Sequence, residues 1–120
     1  MPERTLKPEA MLPLTPAVLH IMLALADGEK HGYGIMQEVA AITQGEMKMG
    51  PGTLYGSVKR MLEAGLVEES DERPDPALDD ERRRYYKLTD FGGRVAIAEV
   101  RRLENLLGVA RTKRVVGETR

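Results

Sequence analysis

Three apolar stretches in the first half of the chain predict three helices. From Ala17 to Ala26 nearly every residue is apolar, with His20 as the exception, and Thr15-Pro16 just before it is typical of a helix start. A second helix is expected after the turn at 27–30 and a third after Gly50-Pro51, because mostly apolar residues recur there at the spacing of one helix face. These residues are Met36, Val39, Ala40 and Thr43 in the second helix, and Leu54, Val58, Met61 and Leu62 in the third.

The second half of the chain predicts two short strands and a long last helix. Leu66–Glu69 and Arg84–Leu88 have strand character, and a proline-containing loop separates them. Thr89-Asp90 then begins a helix with an apolar stripe at the a/d spacing of paired helices. The stripe consists of Ala96, Val100, Leu103, Leu107 and Ala110. We expect this stripe to form a dimer, since a monomer would expose it to water.

The order of these elements predicts a mainly α fold with a small β-wing, a winged helix-turn-helix followed by a long C-terminal dimerisation helix. The expected organisation is a flexible N-terminal arm over residues 1–13, a DNA-binding domain over 14–88, the dimerisation helix over 89–112 and a flexible tail over 113–120. The arm is expected to be extended because it is polar, contains three prolines and shows no helical or strand period.

Composition narrows the function classes without selecting one. The 120 residues fit a single domain, and they include no cysteine and two histidines. The sequence therefore predicts no metal site and no cofactor. We expect no membrane association and a cytoplasmic location, because no apolar run is long enough for a bilayer and the N-terminus lacks the apolar stretch of a signal peptide.

Charges are strongly segregated, although the net charge is only −1. The segment from Asp71 to Glu81 carries six acidic residues and one basic residue, Arg73, whereas Arg82, Arg83 and Arg84 follow directly. This arginine run is a candidate phosphate clamp, because cations placed at phosphates release counterions. A local charge pair with the acidic loop is an equally open interpretation. The acidic loop itself argues against insertion of the wing tip into a DNA groove.

The outward face of the third helix is the candidate DNA-reading surface. Small residues there would let the backbone approach DNA, Thr53 and Tyr55 can form hydrogen bonds, and Lys59 can pair with phosphate. The same face could instead be an ordinary solvated helix surface. The candidate DNA-binding residues are Gly52, Thr53, Tyr55, Gly56, Lys59 and Arg60 on this helix, Tyr33 at the start of the second helix, and Arg82 to Arg84 in the wing. Glycines on both sides of Tyr33 permit an unusual backbone or close helix packing, and His31 is either a helix N-cap or a solvated turn residue.

No catalytic arrangement is recognisable, because the chain has neither a glycine-rich phosphate loop nor a nucleophile with a base at a familiar spacing. We therefore predict that the protein is not an enzyme.

Three stretches together resemble the PadR family of bacterial regulators, the phenolic-acid-decarboxylase-regulator type. They are LTPAVLHIMLALADGEKHGYGIMQEV, GPGTLYGSVKRMLEAGLVEE and RRRYYKLTDFGGR. The resemblance implies a third helix in the major groove of double-stranded DNA, with Thr53, Tyr55 and Lys59 on DNA and Tyr33 near its backbone. It also implies pairing of two protomers through the last helix, as in the short subfamily. Many members have proline where this chain has Gly56.

Two function classes follow from these observations. The first is a homodimeric transcription repressor that acts on an inverted-repeat operator and responds to a small-molecule effector at the dimer interface. The alternative is a winged-helix module that binds a protein instead of DNA. A continuous basic face made by Lys59, Arg60 and Arg82 to Arg84 would favour DNA, and an acidic loop covering that face would favour a protein partner.

Overall fold

The computed structural model describes residues 6–70 and 84–115, and these two ranges contain four α-helices and three short strands. The helices are α1 (Pro16–Leu25), α2 (Gly32–Ile42), α3 (Pro51–Glu63) and α4 (Asp90–Thr112), and the strands are β1 (Lys30–His31), β2 (Val67–Ser70) and β3 (Tyr85–Leu88). This order confirms the predicted fold class, mainly α with a small β-wing. The predicted acidic loop, with Arg82 and Arg83, lies outside the described residues.

Side-chain caps fix the starts of three of these helices. Thr15 Oγ1 accepts a hydrogen bond from the Val18 amide before α1, and Thr89 Oγ1 accepts one from the Gly92 amide in α4. His31 does the same for α2, since its Nδ1 accepts from the Gly34 amide at 3.1 Å. Each cap satisfies an amide that would otherwise lack a partner in the first helical turn. The caps explain why the predicted helix starts at residues 15 and 89 are correct.

The core lies where α1, α2 and α3 meet beneath the start of α4. The predicted apolar face of α3 is confirmed, because Leu54, Val58 and Met61 are at most 2% exposed and Leu62 is partly buried. Other side chains with no exposure are Ile21, Met22, Ile35, Val39 and Val95. The outward face of α3 is therefore fixed by the burial of its opposite side.

The wing is a three-stranded antiparallel sheet with the order β1-β3-β2. β2 and β3 were predicted to within one residue, but β1 was not predicted. It adds Lys30 opposite Tyr86 and His31 opposite Tyr85, and the His31 and Tyr85 rings meet edge to face with centroids 5.2 Å apart. Two residues are too few to show a strand alternation, and their pairing depends on a strand more than fifty positions away.

The prediction of an extended arm is wrong for residues 6–13, the part of the arm that the structure describes. Pro8–Met11 forms one turn of 3₁₀ helix, and this segment packs beside α4. Met11 and Leu12 contact the hydrophobic core, and the Leu14 amide donates to Glu99 Oε2 at 3.0 Å. Prolines and polarity are local signals, whereas the contact with a helix distant in sequence decides the conformation of this segment.

Candidate nucleic-acid interface

The outward face of α3 presents small, hydroxyl and basic side chains to solvent. Gly52, Thr53, Tyr55, Lys59 and Arg60 are exposed. Lys59 makes no ion pair or side-chain hydrogen bond within the described residues, so its ammonium group is available to a phosphate. The structure thus places these candidate residues together on one helix surface, opposite the buried stripe.

Arg60 and Gly56 lie close to each other on this face. The Arg60 guanidinium donates weakly to the Ser57 hydroxyl, with 3.4 Å between Nη2 and Oγ. A methyl group at Gly56 would lie 3.8 Å from Arg60 Nη1, which is an ordinary van der Waals separation. The structure therefore has room for a Cβ at Gly56.

Tyr55 makes a contact with α2 that the sequence did not predict. Its ring lies against Gly32, where an added Cβ would overlap the Tyr55 hydroxyl and approach Cζ to 2.7 Å. The hydroxyl end of Tyr55 therefore packs against α2, although the residue as a whole is 48% exposed. This close approach requires a glycine at position 32. The signal in the sequence that could have indicated the contact is the presence of both HGYG, which contains Gly32, and GTLY, which contains Tyr55.

Tyr33 and Tyr86 occupy contrasting positions near this contact. Tyr33 lies in the first turn of α2 and is 59% exposed. Tyr86 is buried in β3, and burial, reinforced by the charge of Glu69, raises the pKa of its hydroxyl. Tyr86 therefore stays neutral at physiological pH and supports the wing from inside, while Tyr33 is accessible to a partner.

Arg84 forms a local charge pair, which was one of the two interpretations of the arginine run. The pairing acid is Glu69, whereas the sequence predicted an acid of the loop at 71–81. Arg84 Nη1 lies 3.0 Å from Glu69 Oε1 and 3.3 Å from Glu69 Oε2, across the β2-β3 pair. Both side chains remain exposed, so the pair contributes little to stability and can exchange for a phosphate. Arg82 and Arg83 lie outside the described residues.

The apolar stripe of α4 continues beyond the core of its own chain. Ala96 packs against that core, so the stripe that is open to a partner begins at Val100. Val100, Leu103 and Leu107 are 40%, 39% and 42% exposed. Leu106 and Val109 add further exposed apolar surface along the same half of the helix, at 52% each.

Two hydrogen bonds of Thr89 connect the end of α3 to the start of α4, next to the wing. The Thr89 hydroxyl donates to the Gly65 carbonyl at 2.6 Å, directly after α3, and its amide donates to the Leu66 carbonyl at 3.1 Å. Gly92 presses against the same Leu66 carbonyl, where a side chain would overlap the oxygen. The direction of α4 is therefore tied to the end of α3.

Together, the three-helix core, the outward face of α3 and the wing define a winged helix-turn-helix protein. The sequence profile of the transcriptional regulator PadR-like family matches residues 18–99. The chain is also 38% identical over 89 residues to the transcriptional regulator Rv3488 of Mycobacterium tuberculosis, which covers 73% of this chain and 76% of the relative. The protein belongs to the PadR-like family and is a transcriptional regulator, not an enzyme.

Solved structures share the fold. A PadR family transcription regulator from Clostridium difficile R20291 superposes with a TM-score of 0.66 at 21% identity, over 82% of this chain and 97% of that one. RosR of H. salinarum has a TM-score of 0.61 at 26% identity, over 88% and 89% of the two chains. In the described part of this chain, no helix is both long and apolar enough to cross a membrane.

Proposed function

We propose that this protein is a cytoplasmic, homodimeric repressor that reads an inverted-repeat operator through α3 and responds to a small-molecule effector. The observation that carries the proposal is the division of α3 into two faces. One face is buried in the core, and the other presents Thr53, Tyr55 and Lys59 together on an exposed surface. Membership in a family of transcriptional regulators supports this role for the face.

The chemistry of Gly50 and of the first three turns of α3 supports DNA reading by this helix. Gly50 and Gly52 have no neighbouring atoms where a side chain would stand, so the backbone there can approach a groove closely. Thr53 and Tyr55 supply hydroxyl groups for phosphate or base edges, and Lys59 supplies a charge for phosphate. Tyr33, in the adjacent first turn of α2, is suited to contact the DNA backbone.

The exposed stripe of α4 supports the dimer. In a two-fold dimer the two copies of α3 would enter successive major grooves, about 34–36 Å apart, so the operator would be an inverted repeat with half-sites one helical turn apart. The hydrogen bonds of Thr89 support this arrangement, because they fix the direction of α4 relative to α3. They would thereby set the distance between the two copies of α3 in the dimer.

The test is Lys59→Ala, measured by fluorescence anisotropy on the DNA upstream of the protein's own coding region over a series of salt concentrations. Loss of one phosphate contact should weaken binding to all sequences and reduce the salt slope by about one unit. The matched control is Lys113→Ala, which removes a lysine just beyond α4 and should leave both quantities unchanged.

An unchanged affinity and slope for Lys59→Ala, with specific binding intact in the parent protein, would exclude α3 as the DNA reader. A folded parent dimer that binds no upstream DNA at any salt concentration would instead favour the alternative function, a winged-helix module for a protein partner.

A further inference from the structure

A groove of about 740 Å³ lies between the N-terminal segment and α4. Its apolar lining comes from both sides, with Leu12 and Pro13 on the segment and Ile97 and Ala98 on the helix. Ile97 is 54% exposed, although it lies in the half of α4 that packs on the core. The polar lining residues are Glu9, Arg94, Arg101, Arg102 and Asn105. The groove thus combines a hydrocarbon surface with a concentration of positive charge in a chain whose net charge is −1.

The three arginines differ in how far their charge is already neutralised. Arg102 donates to both carboxylate oxygens of the buried Glu99, at 2.6 and 3.0 Å. Arg94 lies 3.9 Å from the exposed Asp90 carboxylate, which is a weak pair. Arg101 has no ion pair in the ranges 6–70 and 84–115, so its guanidinium is available to an anion at the groove.

The groove and the apolar stripe of α4 face in different directions. Arg101 precedes Leu103 by two positions and Asn105 precedes Leu107 by two positions, and two positions correspond to about 200° around an α-helix. A dimer formed through Leu103 and Leu107 would therefore leave the Arg101 side of the helix open. The proposed dimer seam does not account for the groove.

We propose that this groove binds a medium-chain aliphatic carboxylate, with the carboxylate at Arg101 and the hydrocarbon chain along Leu12 and Ile97. A guanidinium and a carboxylate form strong charge-assisted hydrogen bonds, and burial of each methylene adds affinity. Within the described residues no aromatic side chain lines the groove, so an aliphatic chain fits this lining better than an aromatic acid that needs a stacking partner. Such a carboxylate would be the effector of the proposed function, on which this assignment rests, and it would bind away from the α4 seam.

The experiment titrates the protein with hexanoate, heptanoate and octanoate, and follows binding by calorimetry and by amide shifts in NMR spectra. Affinity should rise by up to about fourfold for each added methylene, which corresponds to ~0.8 kcal/mol. The uncharged probe 1-octanol should bind about tenfold more weakly than octanoate. The amides of Ile97 and Arg101 should shift, whereas those of Leu103 and Leu107 should not.

Two matched variants test the role of the charge. Arg101→Gln should weaken octanoate binding about tenfold, while Arg111→Gln, on the same helix but outside the groove lining, should leave it unchanged. Far-UV circular dichroism checks that both variants remain folded. A flat chain-length series, equal binding of 1-octanol, or equal losses in both variants would overturn the proposal.

Sedimentation of the dimer with saturating octanoate tests the competing occupant, a second copy of this chain. An unchanged dimer supports the ligand site, whereas dissociation by octanoate would show that the groove is an interface between copies. None of these measurements uses DNA. Failure of the octanoate measurements would therefore leave the result for Lys59→Ala unaffected. Failure of the Lys59→Ala test would likewise leave the octanoate measurements unaffected.

Discussion

Glu99 joins the N-terminal segment to α4 through a buried carboxylate that is 1% exposed. It accepts from the Leu14 amide and from the Arg102 guanidinium. The hydrogen bond from Arg102 lowers the pKa of Glu99 below its ordinary value, against the opposing effect of burial, and the Leu14 amide acts in the same direction as Arg102. Glu99 is therefore ionised at neutral pH and holds the segment just before α1 against α4.

We expect Glu99→Gln to lower the free energy of unfolding by about 1–3 kcal/mol at pH 7, because the neutral amide loses the charge-assisted bond to Arg102. Since the pKa is lowered in the folded state, the contribution of Glu99 is present above its ordinary pKa of 4.5 and is lost as pH falls through the folded value. The difference from the parent protein should therefore shrink below about pH 4.5.

Urea denaturation at several pH values measures this difference. Glu104→Gln is the control, because Glu104 is exposed on the same helix and its loss should change stability by less than about 0.5 kcal/mol. A Glu99→Gln deficit that stays constant from pH 7 to well below pH 4 would contradict the proposed role of the charge.

At the scale of elements, the contact between the first turn of α4 and Leu66, the residue just before β2, depends on the absence of a side chain at Gly92. Gly92→Ala would force a Cβ into the Leu66 carbonyl, which is backbone and cannot rotate away. Such overpacking should lower the free energy of unfolding by about 1–3 kcal/mol. The neighbouring Gly93→Ala is the matched control, since a Cβ there meets no atom within 4 Å. It should stabilise the protein by about 0.5–1 kcal/mol through helix propensity.

Thermal unfolding at one fixed protein concentration compares the two glycine variants, because association changes the apparent stability of a dimer. The signs of the two changes should be opposite. If Gly92→Ala were as stable as Gly93→Ala, the close approach of α4 to Leu66 would not be required in the folded protein.

At the scale of the whole molecule, the far half of α4 exposes leucines that are not covered by any other part of residues 6–70 and 84–115. Changing Leu103 and Leu107 together to Glu should give monomers, because four charges would be buried in a symmetric seam. Sedimentation measures the change, and Arg101→Gln on the opposite side of α4 is the control that should remain dimeric. A folded dimer of the double variant would place the interface elsewhere.

The sequence by itself determined the helices and the outward face of α3. The signals for these features are local. Thr15 and Thr89 each cap a helix that begins at the next residue, and the spacing of Leu54, Val58 and Met61 defines a face within one helix. The candidate DNA residues on α3 were predictable for the same reason, because the buried stripe leaves a single outward side.

Only the tertiary structure decided the features that depend on partners distant in sequence. The strand at Lys30–His31 exists because β3 pairs with it, and the 3₁₀ turn at Pro8–Met11 packs beside α4. Gly32 is required by Tyr55, and Glu99 is buried because Leu14 and Arg102 satisfy its charge. A carboxylate in a helix is ordinarily expected on the surface, so no local pattern predicts that burial. Periodicity and caps specify elements through neighbouring residues, whereas these contacts arise only after the elements have packed.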